Sequence, residues 1–127
     1  MSPARKSLVA VVDDDVSVRE SLPELLKEWG LAAHGFSSAQ EFLTSKLMSE
    51  TDCLILDIAM PGMSGPDLQQ ELLRRRQKIP IVFITAQRDD RMRPRLLAGG
   101  AVGCLFKPFN EGDLRDAINI ALARRGA

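Results

Sequence analysis

Four apolar runs in this chain end in polar residues that could do chemistry together. Leu8-Val9-Ala10-Val11-Val12 runs into Asp13-Asp14-Asp15, and Cys53-Leu54-Ile55-Leu56 runs into Asp57. Pro80-Ile81-Val82-Phe83-Ile84 ends at Thr85, and the run from Val102 to Phe106 ends at Lys107. If these runs are neighbouring strands, the polar residues meet at one edge of the sheet. Asp13, Asp14 and Asp57 then bring three carboxylates together, and like charges at that range raise pKa values and oppose folding. A hard divalent cation relieves the conflict. An all-oxygen site with few protein ligands suits Mg2+, or Mn2+ in its place. Lys107 adds a point charge and Thr85 a hydroxyl that can donate to an incoming oxygen. A cation, a lysine and a hydroxyl around a carboxylate can bind a phosphoryl group. A carboxylate nucleophile yields an acyl phosphate, with positive groups neutralising charge on the transferred oxygens.

The elements that must position these groups alternate between two periods. Continuous apolar, β-branched runs suit strands buried on both faces. Between them, Val18, Leu22, Leu25, Leu26 and Trp29 share one helical face, with Ser17 and Glu20 spaced as a capping box and Gly30 as a stop. Pro23 inside that helix predicts a kink or a loosened turn. A weaker strand spans Ala32 to Phe36, and Ser38 with Glu41 caps a short helix near Glu41 to Lys46. Met60-Pro61-Gly62-Met63-Ser64-Gly65 is turn chemistry, after which Pro66 opens a helix burying Leu68, Leu72 and Leu73. A weak helix spans Arg91 to Gly99. Asn110 and Asp113 cap the last helix, where Leu114, Ile118, Ala121 and Leu122 share a face. Five strands alternating with helices imply an open, doubly wound parallel sheet, and its ligand belongs beyond the carboxyl ends of the strands.

Composition narrows the class. The 127 residues make one domain, residues 1–127, 45% apolar and 27% charged, which excludes disordered and disulfide-stapled chains. Seventeen basic and seventeen acidic residues cancel, so bulk charge points to neither nucleic acid nor an anionic membrane. No apolar run approaches a membrane span, and the N-terminus lacks the apolar core of a signal peptide. Cys53 and Cys104 have no zinc or redox spacing. The expectation is a reduced, cytoplasmic protein that binds neither membrane nor nucleic acid itself.

Val11-Val12-Asp13-Asp14, Leu54-Ile55-Leu56-Asp57 with Met60-Pro61-Gly62-Met63-Ser64-Gly65, Ile84-Thr85-Ala86 and Lys107-Pro108-Phe109 together resemble the receiver domain of bacterial two-component response regulators. The likeness covers about residues 7–124 in the right order, and leans toward receivers of the nitrogen-fixation-regulator type. It implies a flavodoxin-like (βα)5 fold with strand order 2-1-3-4-5. It also implies that Asp57 accepts a phosphoryl group from a sensor histidine kinase or phosphotransfer protein. Asp14 and Asp57 would bind Mg2+ by side chain, Ala59 by its backbone carbonyl and Asp13 through water. Thr85 would bond the phosphoryl oxygens and Lys107 would pair with them, the Lys107–Pro108 bond being cis. Phosphorylation, adding about −1.5 to −2 charge, would switch the surface of the fourth helix, fifth strand and fifth helix. The output is a downstream protein, a missing effector domain or a phosphorylation-dependent homodimer. In that order the third and fifth strands lie two spacings apart, about 9.5 Å, too far for a Cys53–Cys104 disulfide.

Several positions depart from the family. Three residues before the lysine, where an aromatic ring usually acts as the switch, stands Cys104, with Phe106 two residues on along the same strand face. Pro94 predicts that the fourth helix starts late or is distorted. Ala59 and Gln87, two residues after Asp57 and Thr85, occupy positions that tune acyl-phosphate lifetime. Arg88, Arg91, Arg93 and Arg95 form a basic cluster, either a solvated face or a docking surface. Two other readings remain. One is a phosphorylation-independent receiver-like binding module. The other is a phosphatase resembling the haloacid-dehalogenase type, using Asp13 in Asp13-x-Asp15-x-Ser17.

Overall fold

The computed structural model describes residues 6–86 and 91–126. The apolar runs form strands β1 (Leu8–Val12), β3 (Cys53–Asp57), β4 (Ile81–Thr85) and β5 (Gly103–Phe106), with β2 at Ala32–Phe36. All pairings are parallel and the order is β2-β1-β3-β4-β5, as the resemblance implied. The central strands β1, β3 and β4 are buried at every residue, which is why they read as unbroken apolar runs.

Alternation along each strand splits the core in two. Val12, Leu54, Leu56, Phe83 and Cys104 face one way, against Phe42 of α2 (Ala39–Thr44), Leu68 and Leu72 of α3 (Gly65–Arg74), and Leu96 of α4 (Met92–Ala98). Val9, Val11, Ile55, Val82 and Ile84 face the other, against Leu22 and Leu26 of α1 (Val16–Glu28) and Leu114, Ile118 and Ala121 of α5 (Glu111–Gly126). Each fully buried Leu or Ile contributes roughly 1.5–3 kcal/mol to holding a helix on its face.

The start of α1 differs from the capping box expected of Ser17 and Glu20. Asp15 is the N-cap: its carboxylate accepts the Ser17 backbone N–H at 2.9 Å and the Ser17 hydroxyl at 2.8 Å. A carboxylate one residue before the helix outcompetes a hydroxyl already inside its first turn. The same helix runs unbroken through Pro23. Pro23 cannot donate to the Arg19 carbonyl, and β2 comes close to that carbonyl at Gly35, where an added Cβ would stand 2.9 Å from its oxygen.

Helix α2 starts and ends two residues before the expected span. Ser38 caps it through the Glu41 N–H, while the Glu41 carboxylate takes the Ser37 hydroxyl at 2.7 Å and leaves the box unclosed. A 3-10 turn at Met48–Glu50 follows, which the sequence did not signal. Helix α3 carries Pro66 in its first turn and a complete capping box between Ser64 and Asp67. Arg74 and Arg75 close its end on Glu71, whose carboxyl those hydrogen bonds hold down at about 2. Helix α4 begins at Met92, one residue after the expected start, and Pro94 lies in its first turn, where a missing N–H costs no helical bond. The last helix opens as expected, with the Asp113 N–H on Asn110 Oδ1 at 2.7 Å.

Both cysteines are free and buried. His34 is exposed on β2, its ring 4.7 Å from that of Phe36. Among the described residues no helix is long and apolar enough to cross a membrane.

Candidate functional site

Register brings the polar strand ends together. Val12 pairs with Leu56, so the next residues, Asp13 and Asp57, lie side by side. Asp57 pairs with Ile84, and Thr85 with Phe106, which sets Thr85 and Lys107 at the ends of the next two strands. The Lys107 N–H donates to the Thr85 carbonyl at 2.8 Å, continuing the ladder past β5. Asp13, Asp14 and Asp57 each offer a carboxylate oxygen within 4.8 Å of the others.

The three carboxylates are held differently. Asp13 is wholly buried; one oxygen accepts the Asp15 N–H at 2.9 Å and the other accepts Lys107 Nζ at 2.8 Å. Asp57 is 6% exposed, with Lys107 Nζ at 3.9 Å. Asp14 is exposed, and among the described residues its carboxylate has no hydrogen-bond or ion-pair partner. Burial pushes the Asp57 carboxyl up to about 7; the charges of Asp13 and Asp14 add to the rise and Lys107 opposes it. For Lys107, burial opposes the charged form, but the hydrogen bond and charge of Asp13 outweigh it and raise its pKa. One lysine thus faces three carboxylates, and the excess negative charge is what a divalent cation offsets.

The other expected residues that are described lie on the same strands or just after them. Thr85 is buried at the end of β4. Ala59 is exposed in the loop after β3, two residues from Asp57. Lys107–Pro108 is cis. Cys104 is 6% exposed, and a groove of about 500 Å3 opens beside it, lined by Arg93, Phe106, Phe109 and Ile120 among others. Gln87 and Arg88 fall outside the described residues. Arg91 and Arg93 are at the start of α4 and Arg95 further along it.

Two residues important to the site were not singled out from sequence. A Cβ on Gly65 would collide with the Asp57 carbonyl oxygen, so a glycine lets the start of α3 fold back against the acidic strand end. The Gly65 N–H also donates to the Ile58 carbonyl at 2.9 Å. Arg19 reaches back from α1 to the carbonyls of the Asp13-Asp14 segment. The turn chemistry before Pro66 hinted at the first; nothing in the spacing of α1 marked the second.

Residues 9–119 match the family model described as the response regulator receiver domain. The chain belongs to the response regulator receiver family. It is 46% identical over 94% of its length to Nodulation protein W of Bradyrhizobium diazoefficiens, of which the match covers 52%. The crystal structure of FixJ-N superposes with TM-score 0.84 at 32% identity, covering 94% of this chain and 96% of that one. The low-resolution structure of the response regulator StyR superposes with TM-score 0.88 at 45% identity, covering 96% of this chain and 62% of that one. The receiver spans about half the length of the curated relatives it matches. Its lean toward the nitrogen-fixation-regulator type agrees with these relatives, which include the regulator FixJ of Azorhizobium caulinodans.

Proposed function

We propose that Asp57 of this receiver accepts a phosphoryl group from a phosphohistidine of a sensor kinase or phosphotransfer protein. The observation that carries the reading is the grouping of Asp13, Asp14 and Asp57 within 4.8 Å at the strand ends, with Lys107 between Asp13 and Asp57. An Asp57 carboxylate oxygen attacks phosphorus, the phosphorus–nitrogen bond breaks, and the imidazole leaves with the bond's electron pair and takes a proton. Asp14, Asp57 and the Ala59 carbonyl would hold Mg2+ or Mn2+, and Asp13 would reach it through water. A cation held there would supply positive charge against the phosphoryl oxygens and the crowded carboxylates. Lys107 supplies a second positive group, already beside Asp57. Thr85 supplies a hydroxyl to a phosphoryl oxygen, and its movement passes the change to β5 and α4.

Asp57 is favoured over Asp13 as nucleophile by burial and partners. Both Asp13 oxygens are engaged, and Asp15, which the phosphatase reading needs in its motif, is spent capping α1. The protein is a phosphoacceptor rather than a turnover enzyme. Its output would be carried by the α4–β5–α5 surface to an effector domain, a partner protein or a second copy. Cys104 offers no ring to swing there, so the shift would rest on Thr85 and α4 alone.

The test is intact mass after treatment with acetyl phosphate and Mg2+. Wild type should gain one phosphoryl group, Asp57→Asn should gain none, and chelation should abolish the gain. Asp13→Asn should label slowly and recover with added Mg2+. Labelling that persists in Asp57→Asn would move the nucleophile to the Asp13 segment. Wild type that stays unlabelled by acetyl phosphate and by a kinase would favour the phosphorylation-independent module.

A further inference from the structure

Asp14 is the least restrained of the three clustered carboxylates. Asp13 is tied at both oxygens, and Asp57 is the last residue of a buried strand. Asp14 is exposed, and its carboxylate makes no hydrogen bond or ion pair among the described residues. Only the point from which it leaves the chain is fixed, and the backbone fixes it.

That backbone is held by Arg19. From the first helical turns of α1, Arg19 Nη1 donates to the Asp13 carbonyl at 3.2 Å and lies 3.5 Å from the Asp14 carbonyl. Arg19 is half-buried, and among the described residues its guanidinium has no carboxylate partner. Its stem is seated on β2 at Gly35, where an added Cβ would lie 2.7 Å from Arg19 Cγ. The strand side of the same segment is fixed by the Asp13 N–H on the Phe36 carbonyl at 3.1 Å. A single nitrogen of a permanently charged guanidinium, shared between two successive carbonyls, restrains the peptide between them, and with it the departure of the Asp14 side chain.

We infer that Arg19 is a positioning residue for the cation: by holding the Asp13 and Asp14 carbonyls, it fixes where the Asp14 side chain leaves the backbone, within reach of Asp13 and Asp57, before any cation arrives. This rests on the phosphoacceptor reading, in which the acidic cluster binds a divalent ion. Groups that orient metal ligands typically change affinity about 10- to 100-fold when removed. A purely structural arginine would change stability and leave affinity alone.

The experiment is calorimetric titration of the folded protein with Mg2+, paired with urea unfolding in chelator. Arg19→Met keeps the stem on Gly35 and removes the donors; Arg19→Lys keeps the charge on a shorter side chain, whose ammonium falls short of the place held by Nη1. Arg19→Met should weaken Mg2+ binding about 10-fold or more, with metal-free stability changed little. The Mg2+ concentration for half-maximal acetyl phosphate labelling should rise by the same factor. Arg19→Lys should fall between. Unchanged Mg2+ affinity in Arg19→Met, with or without a loss of stability, overturns the inference. If Arg19→Met does not fold, Arg19→Lys decides: wild-type affinity overturns the inference, and weakened binding at wild-type stability supports it. Wild type that binds no Mg2+ would overturn the phosphoacceptor reading itself, an outcome distinct from unchanged affinity in the variants.

Discussion

Helices α3 and α4 pack on the same face of the sheet, yet they are anchored very differently. The ten residues of α3 begin with a reciprocal capping box and bury Gly65, Leu68, Gln69 and Leu72. The seven residues of α4 have no side-chain cap and bury only Leu96. Among the described residues one side-chain hydrogen bond links them, Gln69 Nε2 to the Leu96 carbonyl at 3.2 Å, and it holds the C-terminal end of α4. So the side that encloses Asp57 is built in advance, while the side that would report its state is lightly held. A site that must be ready for a phosphoryl group gains from rigidity, and a reporter gains from a low opening free energy.

The comparison can be broken first at Gly65. Gly65→Ala should cost about 3 kcal/mol, because the new methyl meets the Asp57 backbone rather than a flexible side chain. Urea unfolding measures it, and a cost under about 1 kcal/mol would mean the approach is not needed. Next is Leu96→Ala, expected to cost about 2 kcal/mol by emptying the one buried position of α4. Hydrogen exchange should accelerate in Met92–Ala98 and stay slow in α3; equal acceleration in both would show that the two helices open as one unit.

Ser64→Ala removes half of the capping box and should cost about 1 kcal/mol. Exchange should quicken in the first turn of α3 only, which would make that helix start more like α4. The loaded cluster can also be probed by pH in metal-free protein. Asp57 is raised from 3.8 to about 7 in the folded state, burial first and Asp13 second, so the folded chain binds a proton that the unfolded chain releases. Between those values stability falls as pH rises, and it levels off above about 7. Asp57→Asn should flatten the decline measured from pH 5 to pH 8. A slope that survives the substitution would assign it to another group.

Most of the sheet edge was legible because its logic is one-dimensional. Strands buried on both faces must read as apolar runs, and polar residues at their ends must share an edge once the strands are parallel. Asp13, Asp57, Thr85 and Lys107 followed from that, and Pro94 falls in the first turn of α4, where a proline is tolerated. Strand order and the cis bond before Pro108 came from the family likeness, since no local pattern encodes them. What stayed hidden depends on approach between distant segments. Gly65 and Gly35 matter for what lies opposite them, and Arg19 for the carbonyls it reaches across a loop. The cap of α1 was misread because Asp15 and Ser17 both suit the position, and only the path of the chain chooses between them.

The two thiols give this receiver internal clocks of different depth. Cys53 is fully buried in a central strand, and burial pushes its thiol up to about 12. Cys104 sits on the edge strand beside an open groove, its thiol also raised by burial, with Arg93 working the other way. Thiolate is the reactive form, so a thiol reagent reaches each site only when the surrounding structure opens. Cys53 should be modified at the rate of whole-molecule unfolding, and Cys104 at the faster rate at which β5 and α4 separate. The ratio of the two rates, followed with and without phosphodonor, converts the looseness of the α4 side into a kinetic signal that needs no added label.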